Sequence, residues 1–314
     1  VHYPPSGDGG IITGISSISS LALLSLEGSG MVGIPGFSSR LFAALANAQV
    51  NVILITQGSS EHSICVGVDA SSVDKAKIAV DKAFEFEIAS HKVEPLKIEK
   101  DLSIVALVGD NMRHHTGVSG RMFAALGRNG VNIRAIAQGS TERNISAVVA
   151  SADVRKAVNV LHEEFFETVK KQINLFVVGT GNVGKRLLAQ LKQQHQFLEE
   201  HLHLQVNIAG LSNSRKMLID ENGIDLNNWE DVLQNGEAAN LKSFVQSIIS
   251  KNLRNSVFVD VTANGAIAEV YASLLEKSIA VVACNKVAAS SAYRNYKKLK
   301  QLSAEFNAPF LFET

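Results

Sequence analysis

The residues Ile173-Asn174-Leu175-Phe176-Val177-Val178 form an apolar run, and Gly179-Thr180-Gly181-Asn182-Val183-Gly184 follows it directly. An amphipathic run without a breaker comes next, from Lys185 to Ala189. Strand, tight turn and helix in that order can hold the pyrophosphate of a dinucleotide. Gly179 permits the turn, Gly181 lets the backbone approach the phosphates, and Gly184 lets the helix pack close to the strand. The first N–H groups of the new helix, and its dipole, favour an anion there. The plain alternative is a tight strand–helix turn with no ligand.

The end of the next strand, Leu204–Leu211, bears on the choice of cofactor. A site for NAD usually puts an acid at this strand end to take the ribose 2′-OH. Here the residues are Ser212-Asn213-Ser214-Arg215-Lys216. Hydroxyls, an amide and a guanidinium suit a 2′-phosphate, with Arg215 making a charge-assisted contact. NADP(H) is therefore expected over NAD(H), unless Arg215 is a surface arginine at a helix start. Two later strands end in Asp260-Val261-Thr262-Ala263-Asn264 and in Cys284-Asn285-Lys286. Hydride delivery to a carbonyl builds charge on oxygen, which a positioned ammonium such as Lys286 can stabilise or protonate. A solvated lysine at a strand end is the plainer reading.

The elements that must position these groups alternate strand and helix. Strands are expected at 173–178, 204–211, 257–261, 280–283 and 309–312. Helices are expected from Val183 and over 225–233, 240–251, 267–277 and 293–307. That pattern makes a Rossmann-type, mostly parallel, doubly wound sheet, which gathers ligands at the carboxyl ends of its strands. The polar stretch Glu163–Gln172 reads as a hinge before it. His195, His201 and His203 lie near one another, but no cysteine or aspartate stands at ligand spacing, so a solvated helix end is expected.

The half before this sheet is duplicated. Gly36-Phe37-Ser38-Ser39-Arg40-Leu41-Phe42-Ala43-Ala44-Leu45 returns as Gly117-Val118-Ser119-Gly120-Arg121-Met122-Phe123-Ala124-Ala125-Leu126. Gln57-Gly58-Ser59-Ser60-Glu61 returns as Gln138-Gly139-Ser140-Thr141-Glu142, at the same spacing of 81 residues. Each copy reads as a small ferredoxin-like α/β sandwich. In the first, strands are expected at 21–26, 52–56, 63–68 and 93–98, with helices over 37–48 and from a Ser71 or Ser72 cap to Ala89. In the second, strands are expected at 103–108, 132–137 and 144–150, with helices over 118–128 and 152–166. An extra strand, Ile11–Gly14, precedes both. An amino-acid zwitterion needs acceptors for its ammonium and donors for its carboxylate. The helix starts after Gly36 and Gly117 offer backbone donors, and Gln57 and Gln138 each offer a carbonyl and an amide. Glutamines that merely cap exposed strand ends are the alternative.

With 314 residues, 46 % of them hydrophobic and 19 % charged, the chain suits two or three globular domains. Thirty basic residues balance thirty acidic ones, and no long basic block argues for nucleic acid. No apolar stretch is long enough to span a bilayer. Cys65 and Cys284, both in apolar runs, read as buried thiols of a cytoplasmic protein.

Gly28-Ser29-Gly30-Met31-Val32-Gly33-Ile34-Pro35-Gly36 and the paired Gln-Gly-Ser-x-Glu turns resemble the two ACT domains of bifunctional aspartokinase–homoserine dehydrogenases. The resemblance implies two ACT domains of βαββαβ topology, over residues 1–98 (leader strand included) and 99–167. An NADP-binding domain would follow over 168–314. It implies that the ACT pair binds an amino-acid effector, threonine in the usual case, through Gln57 and Gln138. It also implies self-association into a homo-oligomer through the ACT sheets. In the other half, Gly179, Thr180, Gly181, Asn182, Val183 and Gly184 match the phosphate turn. Thr262 and Asn264 would line the ribose and nicotinamide side, and Asn285-Lys286 would place a lysine beside the nicotinamide and the substrate carbonyl. Glu313 matches a residue that helps hold a monovalent cation. The family's remaining substrate and catalytic residues would follow Thr314, and nothing here resembles the kinase's Lys-x-Gly-Gly motif. Without the kinase and the substrate half, this chain alone is expected to catalyse neither reaction, and a start at Val1 fits a fragment. Two other readings remain. One is an amino-acid-sensing interaction module with a non-catalytic nucleotide-binding passenger; the other is an ACT-linked dehydrogenase of the kind found in serine biosynthesis.

Overall fold

The computed structural model describes residues 11–58, 62–109, 112, 115–139, 143–166 and 171–313. They form two compact units, Val1–Gly120 with Asn132–Val158, and Arg121–Val131 with Asn159–Thr314.

The duplicated half runs β1 (Gly14–Glu27), α1 (Phe37–Asn47), β2 (Val52–Gln57), β3 (Ser63–Asp69), α2 (Val73–Ala83), α3 (Glu85–Ala89) and β4 (Lys97–Val108). It continues as α4 (Val118–Arg128), β5 (Ile133–Gln138), β6 (Asn144–Ala150) and α5 (Val154–Phe165). The six strands make one antiparallel sheet in the order β2-β3-β1-β4-β6-β5. Leu41 and Leu45 of α1 and Val73, Ala76 and Val80 of α2 pack with Leu24, Leu26, Ile64 and Val66 from one face of the sheet.

Two expected short strands are not separate. Ile11–Thr13 lies outside any strand, and Gly14 opens the fourteen-residue β1. The expected strand 93–98 overlaps the start of the twelve-residue β4, which runs on through 103–108. Each long strand serves both copies. Gly14–Ile18 pairs with Ile104–Val108, whereas Leu21–Ser25 pairs with the Lys97–Leu102 stretch. The switch is a β-bulge, with Ser20 at φ +60° and Asp101, 81 residues on, at φ +59°. The expected helix from 71 or 72 to 89 is also broken. Asp69, not a serine, caps the preceding turn by accepting from the Ser71 N–H at 2.9 Å, and Phe84 interrupts the helix.

The second sheet is built from β7 (Lys171–Val178), α6 (Asn182–His201), β8 (Leu204–Ser212), β9 (Lys216–Ile219), α7 (Trp229–Gln234) and β10 (Glu237–Ala238). Then come α8 (Leu241–Lys251), β11 (Ser256–Asp260), α9 (Gly265–Ala268), α10 (Tyr271–Leu275), β12 (Ala280–Ala283), α11 (Val287–Ser290), α12 (Tyr293–Glu305) and β13 (Phe310–Phe312). The strand order is β10-β9-β8-β7-β11-β12-β13. β8, β7, β11, β12 and β13 are parallel, and β9 and β10 are antiparallel. One face buries Phe176, Phe244, Phe258, Tyr271 and Phe310, and the other Val177, Leu188, Ile208, Leu211 and Val259. A parallel sheet covered on both faces gives strands that are apolar throughout, as β7 and β11 are.

β9 and β10 were not expected, because they are short and in part polar. The helix expected at 225–233 starts only at Trp229: Asp225 Oδ1 accepts from the Asn227 N–H at 2.9 Å, and that local turn displaces the first helical turn. The helix expected over 267–277 is two short helices, α9 and α10. Of the expected hinge, 163–165 is helical and 171–172 is strand, and 167–170 lies outside the described residues. No described helix is long and apolar enough to cross a membrane.

Candidate functional site

The turn after β7 holds three glycines for three different reasons. Gly179 has φ +101°, and a methyl group on it would lie 2.8 Å from Thr262 Cγ2. A methyl on Gly184 would lie 1.9 Å from the Gly179 carbonyl oxygen. Gly181 has φ −75°, and a methyl there would have nothing within 4 Å. Its exposed backbone is therefore open to a ligand group, while the other two glycines close the turn against β11. Asn182 and Val183 are exposed at the start of α6, whose first N–H groups have no acceptor inside the helix. A pyrophosphate fits this cradle. Thr180 stands beside it, with Asn213 Nδ2 donating to its Oγ1 at 3.5 Å.

Arg215 is not at a helix start. It sits exposed at the tip of the β8–β9 hairpin, where Asn213 Oδ1 accepts from the N–H groups of Arg215 at 2.8 Å and Lys216 at 2.7 Å. Lys216 turns its ammonium to the Gly236 carbonyl at 2.8 Å, so Arg215 is the cation that faces outward at the strand end.

β7 and β11 are neighbours, and the chain order reverses between them: β8 lies on one side of β7, and β11 and β12 lie on the other. Ligands of doubly wound sheets bind at such a point. Asp260, the last residue of β11, is fully buried and organises the edge. Its Oδ1 accepts from the Thr262 N–H at 2.8 Å. Its Oδ2 accepts from Tyr271 Oη at 2.5 Å and Asn285 Nδ2 at 3.0 Å, and its carbonyl accepts from the Cys284 N–H at 2.8 Å. Asn285 Nδ2 also donates to the Asn264 carbonyl at 2.9 Å, while its Oδ1 accepts from the Val287 N–H at 3.1 Å. Asn285 is thus buried and engaged, and it ties the Thr262–Asn264 turn to the Asn285–Lys286 turn. Thr262 is half-buried, and Asn264 and Lys286 are exposed beside it.

Burial and the Asp260 carboxylate push the Tyr271 phenol well above its usual range, so Tyr271 acts as a donor only. Cys284 is exposed and Cys65 half-buried, so neither is the fully buried thiol expected from its apolar run. The desolvation that Cys284 does feel, with Glu313 and Asp260, pushes its thiol up as well, and it stays protonated near neutrality. Glu313 is exposed, and its N–H donates to the Ala283 carbonyl at 3.1 Å. Among the described residues no three His, Cys, Asp or Glu side chains gather as a metal site.

In the duplicated half, Gln57 and Gln138 end β2 and β5, the two edge strands of the sheet. Both line one groove of about 620 Å³, with Ser16, Thr56, Asn144 and Ser146 as further polar groups and Ile18, Ile55 and Ile136 among its apolar ones. Gly36 at φ +99° and Gly117 at φ +87° take left-handed conformations just before α1 and α4. Ser119 Oγ, at the start of α4, donates to Gln138 Oε1 at 3.3 Å. Residues 59–61 and 140–142 of the paired turns lie outside the described residues. Sequence reasoning missed Asp260 and Tyr271. The available signal was an acid ending a buried strand two residues before Thr262.

Comparison with known proteins agrees with both halves. The ACT domain family matches residues 24–84 and 105–165, and the homoserine dehydrogenase NAD-binding domain family matches residues 179–313. The bifunctional aspartokinase/homoserine dehydrogenase of Haemophilus influenzae is 38 % identical over 96 % of this chain, and a chloroplastic one of Arabidopsis thaliana is 35 % identical over 96 %. The chain spans 37 % and 33 % of those two relatives. A crystal structure of Clostridium acetobutylicum aspartate kinase aligns with TM-score 0.45 and 25 % identity, covering 50 % of this chain and 36 % of that one. With paired ACT domains ahead of a homoserine dehydrogenase NAD-binding domain, the chain belongs to the bifunctional aspartokinase/homoserine dehydrogenase family.

Proposed function

We propose that this chain is the regulatory and cofactor-binding portion of an enzyme that phosphorylates aspartate and interconverts aspartate semialdehyde and homoserine. The observation that carries the proposal is the convergence of the Gly179–Gly184 turn, Thr262, Asn264 and Lys286 on one edge of the parallel sheet. Gly181 and the N–H groups that open α6 take the phosphates, and Arg215 takes a 2′-phosphate, which selects NADP(H). When bound, the nicotinamide supplies or accepts the hydride. Thr262 and Asn264 line its ribose side, held by Asn285, and Lys286 stabilises the substrate oxygen and moves its proton. Glu313 contributes to a monovalent-cation site in the parent enzyme. In the other half, threonine binds at Gln57 and Gln138 with the helix starts after Gly36 and Gly117. The chain self-associates through its ACT sheets, works in the cytoplasm, and by itself completes neither reaction.

Calorimetry tests this reading. Titration with threonine, lysine, NADPH and NADH should give heat for threonine and NADPH. The threonine heat should vanish in a Gln57→Ala plus Gln138→Ala variant. Arg215→Ala should weaken NADPH by about tenfold or more and leave NADH unchanged. Equal binding of NADH and NADPH by the parent chain would refute the cofactor choice. Appreciable homoserine-dependent NADP reduction by these 314 residues would refute the claim that they complete neither reaction.

A further inference from the structure

We propose that Asp260 is a positioning residue for the nicotinamide end of the site, and that Tyr271 locks it from the core. The proposal rests on the cofactor reading of this sheet edge. Asp260 and Tyr271 are fully buried, so neither touches a ligand. Apart from the bond to Tyr271, each hydrogen bond of the carboxylate leads to a turn that would. One oxygen fixes the Thr262 N–H, and the other fixes Asn285, whose amide in turn holds the Asn264 carbonyl and the Val287 N–H. Thr262–Asn264 follows β11 and Asn285–Lys286 follows β12, with Asn264 and Asn285 21 residues apart along the chain. Adjacent parallel strands leave such strand-end turns free to shift against each other. A single buried acceptor shared between them removes that freedom.

Why an acid, and not an amide, occupies this place follows from donor counting. Oδ2 accepts from two donors, Tyr271 Oη and Asn285 Nδ2, and Oδ1 from a third, the Thr262 N–H. A carboxylate accepts on both oxygens, whereas an amide has one accepting end and one donating end. Charge-assisted bonds are also about twice as strong as neutral ones, which suits a hinge point that must not drift. The pyrophosphate cradle at Gly179–Gly184 and the hairpin carrying Arg215 take no hydrogen bond from Asp260. The phosphate and adenine ends of the cofactor should therefore be insensitive to it.

That separation gives the test. NADPH and 2′-phospho-ADP-ribose, which lacks the nicotinamide, are titrated into the full chain and into Asp260→Asn and Tyr271→Phe variants. Asp260→Asn should weaken NADPH by about tenfold and 2′-phospho-ADP-ribose by less than about twofold. Tyr271→Phe, which leaves the carboxylate in place, should move NADPH in the same direction by about threefold. Equal weakening of both ligands would mean a general loss of structure, and no weakening of either would mean that the turns are held without Asp260; each outcome overturns the proposal. Hydrogen exchange on the ligand-free chain reads the same tie without a cofactor. The Val287 amide should exchange faster in Asp260→Asn, while the Val177 amide in β7 keeps its protection; unchanged exchange at Val287 overturns the proposal. A parent chain that binds neither ligand would remove the cofactor reading and leave this exchange result to decide the positioning role.

Discussion

At Gly184 a methyl group would meet a backbone carbonyl at 1.9 Å, and a carbonyl in a tight turn cannot step aside as a flexible side chain can. Gly184→Ala should therefore force the helix away from β7 and cost about 2–4 kcal/mol. Thermal denaturation should show the loss, and NADPH binding should fall with it. Gly181→Ala is the informative partner. Its backbone lies in a region any residue adopts, and the methyl would point into open space. Stability should stay within about 0.5 kcal/mol of the parent, because nothing in the fold is touched. NADPH should nonetheless bind more weakly, since the added methyl occupies the approach of the phosphates. A Gly181→Ala chain that binds NADPH as well as the parent would show that the turn is only a turn. Two glycines of one motif thus separate folding from binding.

At the scale of elements, a repeated arginine closes the helix pairs. Arg40 Nη1 donates to Glu87 Oε1 at 2.6 Å, Nη2 donates to the Ala83 carbonyl at 2.6 Å, and the guanidinium lies 4.4 Å from the Phe84 ring centre. In the second copy, Arg121 Nη2 reaches the Glu164 carbonyl at 2.6 Å and the guanidinium lies 4.7 Å from Phe165. The clamp sits where α2 gives way to α3, which is why Phe84 can interrupt a run that reads as one helix. Arg40→Ala should cost about 1 kcal/mol near pH 7. The bond from Arg40 holds the Glu87 carboxyl below its usual range. A depressed folded-state value gives stability that is present above the unfolded value of about 4.3 and lost as pH falls through the folded value. Urea denaturation should therefore show the gap between parent and Arg40→Ala narrowing below about pH 4; a constant gap would assign the cost to stacking on Phe84 alone. The helices α1, α4 and α8 were legible from their apolar spacing, and so were the apolar strands of both sheets from their composition, whereas the short, partly polar β9 and β10 were not. Phe84 kept the helical period across its break, so the break was invisible. The Asp260 network was hidden for another reason: its partners, Tyr271 and Asn285, stand 11 and 25 residues away, and only the folded sheet brings them together.

At the scale of the whole molecule, the duplication does more than repeat a module; within the six-stranded sheet it interlocks the two copies. The stretch before the first copy closes the second, and the stretch after the first copy closes the first. The Thr13 N–H donates to the Val108 carbonyl, and 81 residues on the Glu94 N–H donates to the Glu27 carbonyl. Gly109 backs onto the Ile11 carbonyl, and Gly28 onto the Lys92 carbonyl, each too closely for a side chain. An 81-residue spacing read from the helices and glutamine turns therefore extends to the closing stretches; sequence reasoning placed 93–98 in the first copy but left Ile11–Gly14 ahead of both, without relating the two. Ile12 and Val93 are the matching buried residues of these two stretches, 8 % and 2 % exposed. Truncating either to alanine should cost about 1–3 kcal/mol, but in opposite copies. Ile12→Ala should speed amide exchange in β6 more than in β3, although Ile12 lies next to the first copy in sequence. Val93→Ala should do the reverse, because Val93 packs in the core with Ile64, Val66 and Val68 of β3. If both substitutions loosened β3, the closing stretches would belong to the copies they adjoin in sequence, and the interlock would be wrong. If each loosens the copy it closes, neither copy can be cut out of the sheet at its sequence boundary without opening an edge. Gln57 and Gln138, at opposite edges of that sheet, then keep one groove between them only while both closures hold.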